Sequence, residues 1–139
     1  MTSRALLAIA VLTLAGCSTT KPAIDGPIDY QVTGGIVGSG DGTPALHIEL
    51  NGAMTRTAPG RAPESSMLDA STLASVRSKV EAADLASLDE VYTAGADDFV
   101  HVLSVSVDGA LHRVMADRMA DKPRELEVAI DALHDLATR

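Results

Sequence analysis

From Phe99 to Val107 the side chains alternate. Phe99, His101, Leu103, Val105 and Val107 fall on one side, and Val100, Val102, Ser104 and Ser106 on the other. A period of two belongs to an extended strand with a preferred buried face. Asp108-Gly109 follows at once, a pair suited to the positive φ angles of a tight hairpin turn. The chain therefore reverses and pairs with itself over Ala110 to Ala116. The same unit occurs earlier: Leu46, Ile48 and Leu50 oppose His47 and Glu49, and Asn51-Gly52 leads into a partner strand from Ala53 to Thr57. That second turn is expected to hold both central residues at positive φ. Two local hairpins commit the fold to antiparallel pairing and exclude an all-helical or purely parallel architecture.

The remaining segments fill in around these hairpins. Asp29 to Val37 reads as a strand through Tyr30, Val32, Ile36 and Val37, interrupted at Gly34-Gly35. The two glycines fit a bulge or bend at positive φ, or a stretch of bare backbone that a partner can approach closely. Gly38, Gly40 and Gly42 continue the glycine-rich run. Ala58 to Met67, with Pro59, Gly60 and Pro63, reads as a surface loop. Asp69 is placed to cap a helix over 70–83, whose apolar face carries Leu73, Val76 and Val80. Leu85 and Leu88 are expected to close over the same core. Thr93 to Asp98 is a polar loop. A last helix begins at Lys122-Pro123 with Leu126, Ile130, Leu133 and Ala137 as its buried stripe, and Glu125 and Glu127 suit the positive end of its dipole. The expected fold is α+β: a small antiparallel sheet of four to five strands, two helices on one face, in the order β-β-β-α-β-β-α.

The first residues read as an address. Arg4 precedes an apolar stretch, Ala5 to Ala15, too short for a permanent membrane span. Leu14-Ala15-Gly16-Cys17 resembles the lipobox of bacterial lipoproteins. The resemblance implies cleavage before Cys17 and acylation of Cys17, the only cysteine in the chain. Residues 1–16 are then a signal peptide and 17–27 an acylated cysteine with a flexible tether reaching about 30 Å. Residues 28–139 form one domain. Ser18 after the cysteine resembles outer-membrane sorting in a two-membrane bacterium, facing the periplasm; with one membrane the domain lies on the outer face of the cell.

Charge and composition narrow the function. The net charge is −8 over 139 residues, which argues against a nucleic-acid binder. One cysteine excludes an internal disulfide framework and a four-thiolate zinc site. His47, His101, His112 and His134 make no spaced ligand pair. His101 is expected to be half-buried and the other three to lie at the surface, with His47 and His112 able to face each other across the sheet. The carboxylates Asp84, Asp89-Glu90, Asp97-Asp98, Asp117 and Asp121 read as solvated faces. No nucleophile elbow or phosphate loop is present. The pattern favours a binding protein over an enzyme, with no cofactor and no resident metal.

Four segments together resemble the emfourin family, protein inhibitors of thermolysin-like zinc metallopeptidases. They are Tyr30 to Gly38 with Gly34-Gly35-Ile36-Val37-Gly38; Leu73 to Leu88 with Val80-Glu81-Ala82-Ala83-Asp84-Leu85; Asp98-Phe99 opening a strand that reaches Asp108-Gly109; and Pro123 to Leu133. The loop from Thr57 to Met67 is long for that family. The resemblance implies a lipid-tethered inhibitor that occludes the cleft of a secreted metallopeptidase. Tyr30, Gly34, Gly35, Ile36 and Gly38 are the expected partner-binding residues, and Tyr30 and Ile36 the central apolar contacts. The loops 58–67 and 93–98 are further candidates, and Asp29, Asp97 and Asp98 are carboxylates able to reach a peptidase zinc. The alternative is a structural or adaptor lipoprotein of the cell envelope that inhibits nothing.

Overall fold

The computed structural model describes residues 23–34, 43–95 and 99–139. Cys17, Gly35, Ile36 and Gly38 lie outside them, as do Asp97 and Asp98. Strand β1 (Ile24–Gly34) is the longest. It is followed by β2 (Ala45–Ile48), β3 (Ala53–Thr57), β4 (Glu64–Met67), α1 (Ala70–Ala83), a 3-10 turn at Leu85–Ser87, β5 (Val91–Tyr92), β6 (Phe99–Val107), β7 (Ala110–Asp117) and α2 (Arg124–Thr138).

The seven strands form one mixed sheet in the order β4-β3-β2-β1-β6-β7-β5. Every pairing is antiparallel except that of β5 with β7. This corrects the expected sheet of four to five antiparallel strands and its β-β-β-α-β-β-α order. Two strands lack an alternating signal. Glu64-Ser65-Ser66-Met67 was expected as loop, but it is an edge strand whose four residues are all exposed. With no face to bury, it needs no apolar period. Val91-Tyr92 is only two residues long, and the amide of Met115 donates to the carbonyl of Glu90 beside it.

β1 also begins earlier than Ile28. Ile24 already pairs with Val107, and the register shifts between Ile24 and Ile28. That irregularity absorbs Gly26-Pro27, which were expected in the flexible tether. A Cβ at Gly26 would stand 2.7 Å from the Cβ of Ser106, so only glycine allows this approach. Asp25 fastens the same corner: its carboxylate accepts from the Ser106 hydroxyl at 2.6 Å and from the Gly109 amide at 2.5 Å.

Both hairpins form, with different turns. Asp108 and Gly109 take φ of +52° and +76°, a pair of left-handed residues as expected for a two-residue turn. At the first hairpin only Gly52 is left-handed, with φ +89°. The Gly52 amide donates to the Glu49 carbonyl at 3.0 Å, and Ala53 N–H donates to the Asn51 side chain at 2.9 Å. Asn51 thus acts through its side chain in a longer loop closed by a left-handed glycine, not by sharing positive φ.

Helix α1 spans 70–83, and Asp69 caps it by accepting from the Thr72 amide at 2.9 Å. The Ser71 and Thr72 hydroxyls donate to the same carboxylate, at 2.6 Å each. These three donors hold the Asp69 carboxyl well below its ordinary range. Val76 and Val80 of α1 and Leu126, Ile130 and Leu133 of α2 share one core with Ile28, Tyr30, Ile48, Leu103 and Val105 of the sheet. Both helices therefore cover the same sheet face. Among the described residues no helix covers the opposite face, as is common for an antiparallel sheet.

Candidate functional site

Strand register gathers the expected contact segments at one end of the sheet. Gly34 stands opposite Phe99, Ala45 opposite both Gln31 and Thr57, and Val100 opposite Asp117. Tyr92 lies beside Ala116. The chain thus leaves β1, enters β2, turns between β3 and β4, and leaves β5 and β7 all at that end. Gly34 has φ +84°, in keeping with a bend that glycine alone takes without strain. Phe99 and Met119 expose large apolar side chains here, at 55% and 75% of their surface.

Tyr30 is placed differently from the expected contact residue. It is only 1% exposed and belongs to the core. Its hydroxyl lies 2.7 Å from Nδ1 of His101 on β6 and 2.9 Å from Nδ1 of His134 on α2. A hydroxyl has one proton, so it donates to one imidazole and accepts from the other. Burial, and next the negative charge of Asp131, push the Tyr30 hydroxyl well above its usual range and keep it neutral. The three rings lie together, with centroids 5.5 to 6.2 Å apart. They tie α2 to the sheet beneath the loop end. The three residues are 71 and 104 positions apart in sequence, too far for any local pattern to show.

Asp117 is the second correction. It read as solvated, yet it is fully buried. One carboxylate oxygen accepts from the amides of Met119 and Ala120, at 2.9 and 2.6 Å, and the other from the amide of Ala94. The Ala94 amide is the chief cause, ahead of the Thr93 hydroxyl, of a carboxyl held below its ordinary value against the opposing effect of burial. One side chain thus fixes the chain leaving β5 and the chain leaving β7. The sequence does carry a signal for half of this, because an aspartate commonly accepts from amides two and three residues on.

All four histidines are half-buried, not one. His112 pairs with Val105 and shares its core-facing side, whereas His47 points to the uncovered face, so the two do not meet across the sheet. His47 sits between carboxylates: Nδ1 lies 2.6 Å from Asp29 and Nε2 lies 3.0 Å from Glu49. These bonds, Asp29 first and then Glu49, raise the His47 pKa above its ordinary value. Asp29 is therefore engaged on the open face. The two ring nitrogens point to different carboxylates, so the three groups do not converge on one point as metal ligands must. Among the described residues no three His, Cys, Asp or Glu side chains group where a metal ion could sit, and no helix is long and apolar enough to cross a membrane.

No protein-family model matches this chain, and no curated protein matches it. The likeness to emfourins accordingly stands on the residues quoted for it.

Proposed function

We propose that this chain is an extracytoplasmic lipoprotein, anchored at Cys17, that binds protein through the loop end of its sheet and inhibits a secreted thermolysin-like metallopeptidase by occluding its cleft. The observation that carries the reading is the gathering of the segments around Gly34, 58–63, 93–95 and 118–120 at one end, with Phe99 and Met119 exposed among them. From β3 to β7 this row crosses four inter-strand spacings, about 19 Å, a length suited to an extended substrate groove. An exposed aromatic within a polar rim is the usual anchor of such a contact. The Tyr30 network and Asp117 hold the row in place before binding, which lowers the ordering cost of association.

The anchor has its own test. Cells given a clickable fatty acid label the wild-type chain and leave Cys17→Ser unlabelled; equal labelling of both removes the lipoprotein reading.

Inhibition is tested by titrating the purified domain against thermolysin-like and unrelated peptidases with a small peptide substrate. Dose-dependent loss of activity confined to the zinc enzymes is expected. Phe99→Asp weakens it by about tenfold or more without lowering the melting temperature, because the exposed ring anchors the contact and little of the core. No inhibition at micromolar protein, including of peptidases from the same organism, leaves an envelope adaptor as the function.

A further inference from the structure

At the flank of the loop row a cleft of about 270 Å³ lies between the β3–β4 turn and the end of α2. Arg56, Arg61 and Arg139 line it, and Glu64 is the one acidic side chain among its described lining residues. Three guanidiniums around one cavity are unexpected in a chain of net charge −8.

The hydrogen-bond inventory is unbalanced. Each guanidinium carries five N–H donors and no acceptor. Arg56 commits one Nη2 to Glu64 at 2.5 Å, and Arg139 commits one Nη2 to Asp135. Among the described residues the Arg61 side chain has no ion pair and no hydrogen bond. The Thr138 hydroxyl already donates to the His134 carbonyl at 2.8 Å. Side-chain donors therefore outnumber side-chain acceptors around the cleft.

We propose that this cleft binds an oxyanion, a phosphate or carboxylate group, held by Arg61 together with the uncommitted N–H groups of Arg56 and Arg139. Guanidinium donors lie in a planar fork that matches two oxygens of such a group, a geometry lysine lacks. Size selects the ligand class. The volume is below the range of roughly 300–1,000 Å³ common for drug-sized ligands, and holds about nine waters at roughly 30 Å³ each. That suits a small anion or the acidic end of a larger molecule. Arg56 is the anchored member, its side chain only 22% exposed. Arg61 sits on the turn after Gly60 and is free to close over the ligand.

The inference is independent of peptidase inhibition, and its test uses no peptidase. The full chain in neutral detergent is titrated with inorganic phosphate, and separately with acetate, at constant ionic strength made up with chloride. Saturable shifts of the Arg61 and Arg139 side-chain resonances are expected, together with a rise in melting temperature. Arg61→Gln weakens the affinity by about tenfold or more, while Arg124→Gln, exposed at the opposite end of α2 and outside the cleft, leaves it unchanged. Binding of phosphate alone identifies a phosphate ester as the ligand chemistry, and equal binding of acetate identifies a carboxylate; either supports the site. Titrations no different from chloride, or an Arg61→Gln chain that binds as well as wild type, overturn it.

Discussion

Replacing Asp117 by Ala lowers the melting temperature by roughly 5–10 °C, because the part-buried amide of Ala94 and the buried amide of Ala120 lose their acceptor. Asp117→Asn separates the two halves of the device. The amide side chain retains one oxygen for Met119 and Ala120 but sets an N–H donor against the Ala94 amide. Hydrogen exchange at Ala94 then rises while Ala120 stays protected. The acid behaviour follows from the lowered carboxyl. Its contribution is complete above the ordinary aspartate value of 3.8 and fades as pH falls through the lower folded value. Melting curves of wild type and Asp117→Ala therefore converge as pH drops below about 3.8. A constant gap between them from pH 7 to the acid limit would show that the carboxylate charge plays no part.

Leu103→Ala is the larger loss in the core, about 2–5 kcal/mol by urea unfolding. Leu103 is wholly buried on β6, with Tyr30 on one side and Val114 on the other. Neighbours fixed in a sheet cannot collapse into the space left behind. Leu111 provides the control. It is apolar too, on the adjacent strand, but 73% exposed on the uncovered face. Leu111→Ala is expected to change stability by about 0.5 kcal/mol or less. Equal losses at the two positions would mean that the helices do not cover the face assigned to them.

Much of this architecture is legible because its signals are local. Asp69 followed by the spacing of Leu73, Val76 and Val80 marks α1 to the residue. Alternation and the Asp108-Gly109 pair mark the β6–β7 hairpin. The failures share one cause, which is that the deciding partner lies elsewhere in the chain. β4 is a strand only because β3 offers it an edge. Gly26-Pro27 reads as punctuation until Ser106 and Gly109 give Asp25 something to hold. Asp117 looks like any surface carboxylate until the segment at Ala94 folds over it. At the candidate site the expected contact segments, Gly34 and the loops near it, fall at one end of the sheet. The sequence did not identify Phe99 as the exposed aromatic or Tyr30 as a core residue, because both alternate correctly within strands. Only α2, arriving with His134, distinguishes the buried ring of Tyr30 from the more exposed ring of Phe99.

β1 runs the full height of the sheet, starting beside the Asp108–Gly109 turn and finishing at Gly34. Whatever precedes Ile24 is thus fastened to one pole of the domain, and the exposed Phe99 stands at the other. Ile24 pairs with Val107 and Gly34 with Phe99, so eight steps of about 3.3 Å along β6 separate the poles by about 26 Å. The strand works as a mast. A chain attached to a surface through its N-terminal side carries its contact loops at the far end of a rigid spacer, and its reach is set by the length of β1 as much as by any linker below it.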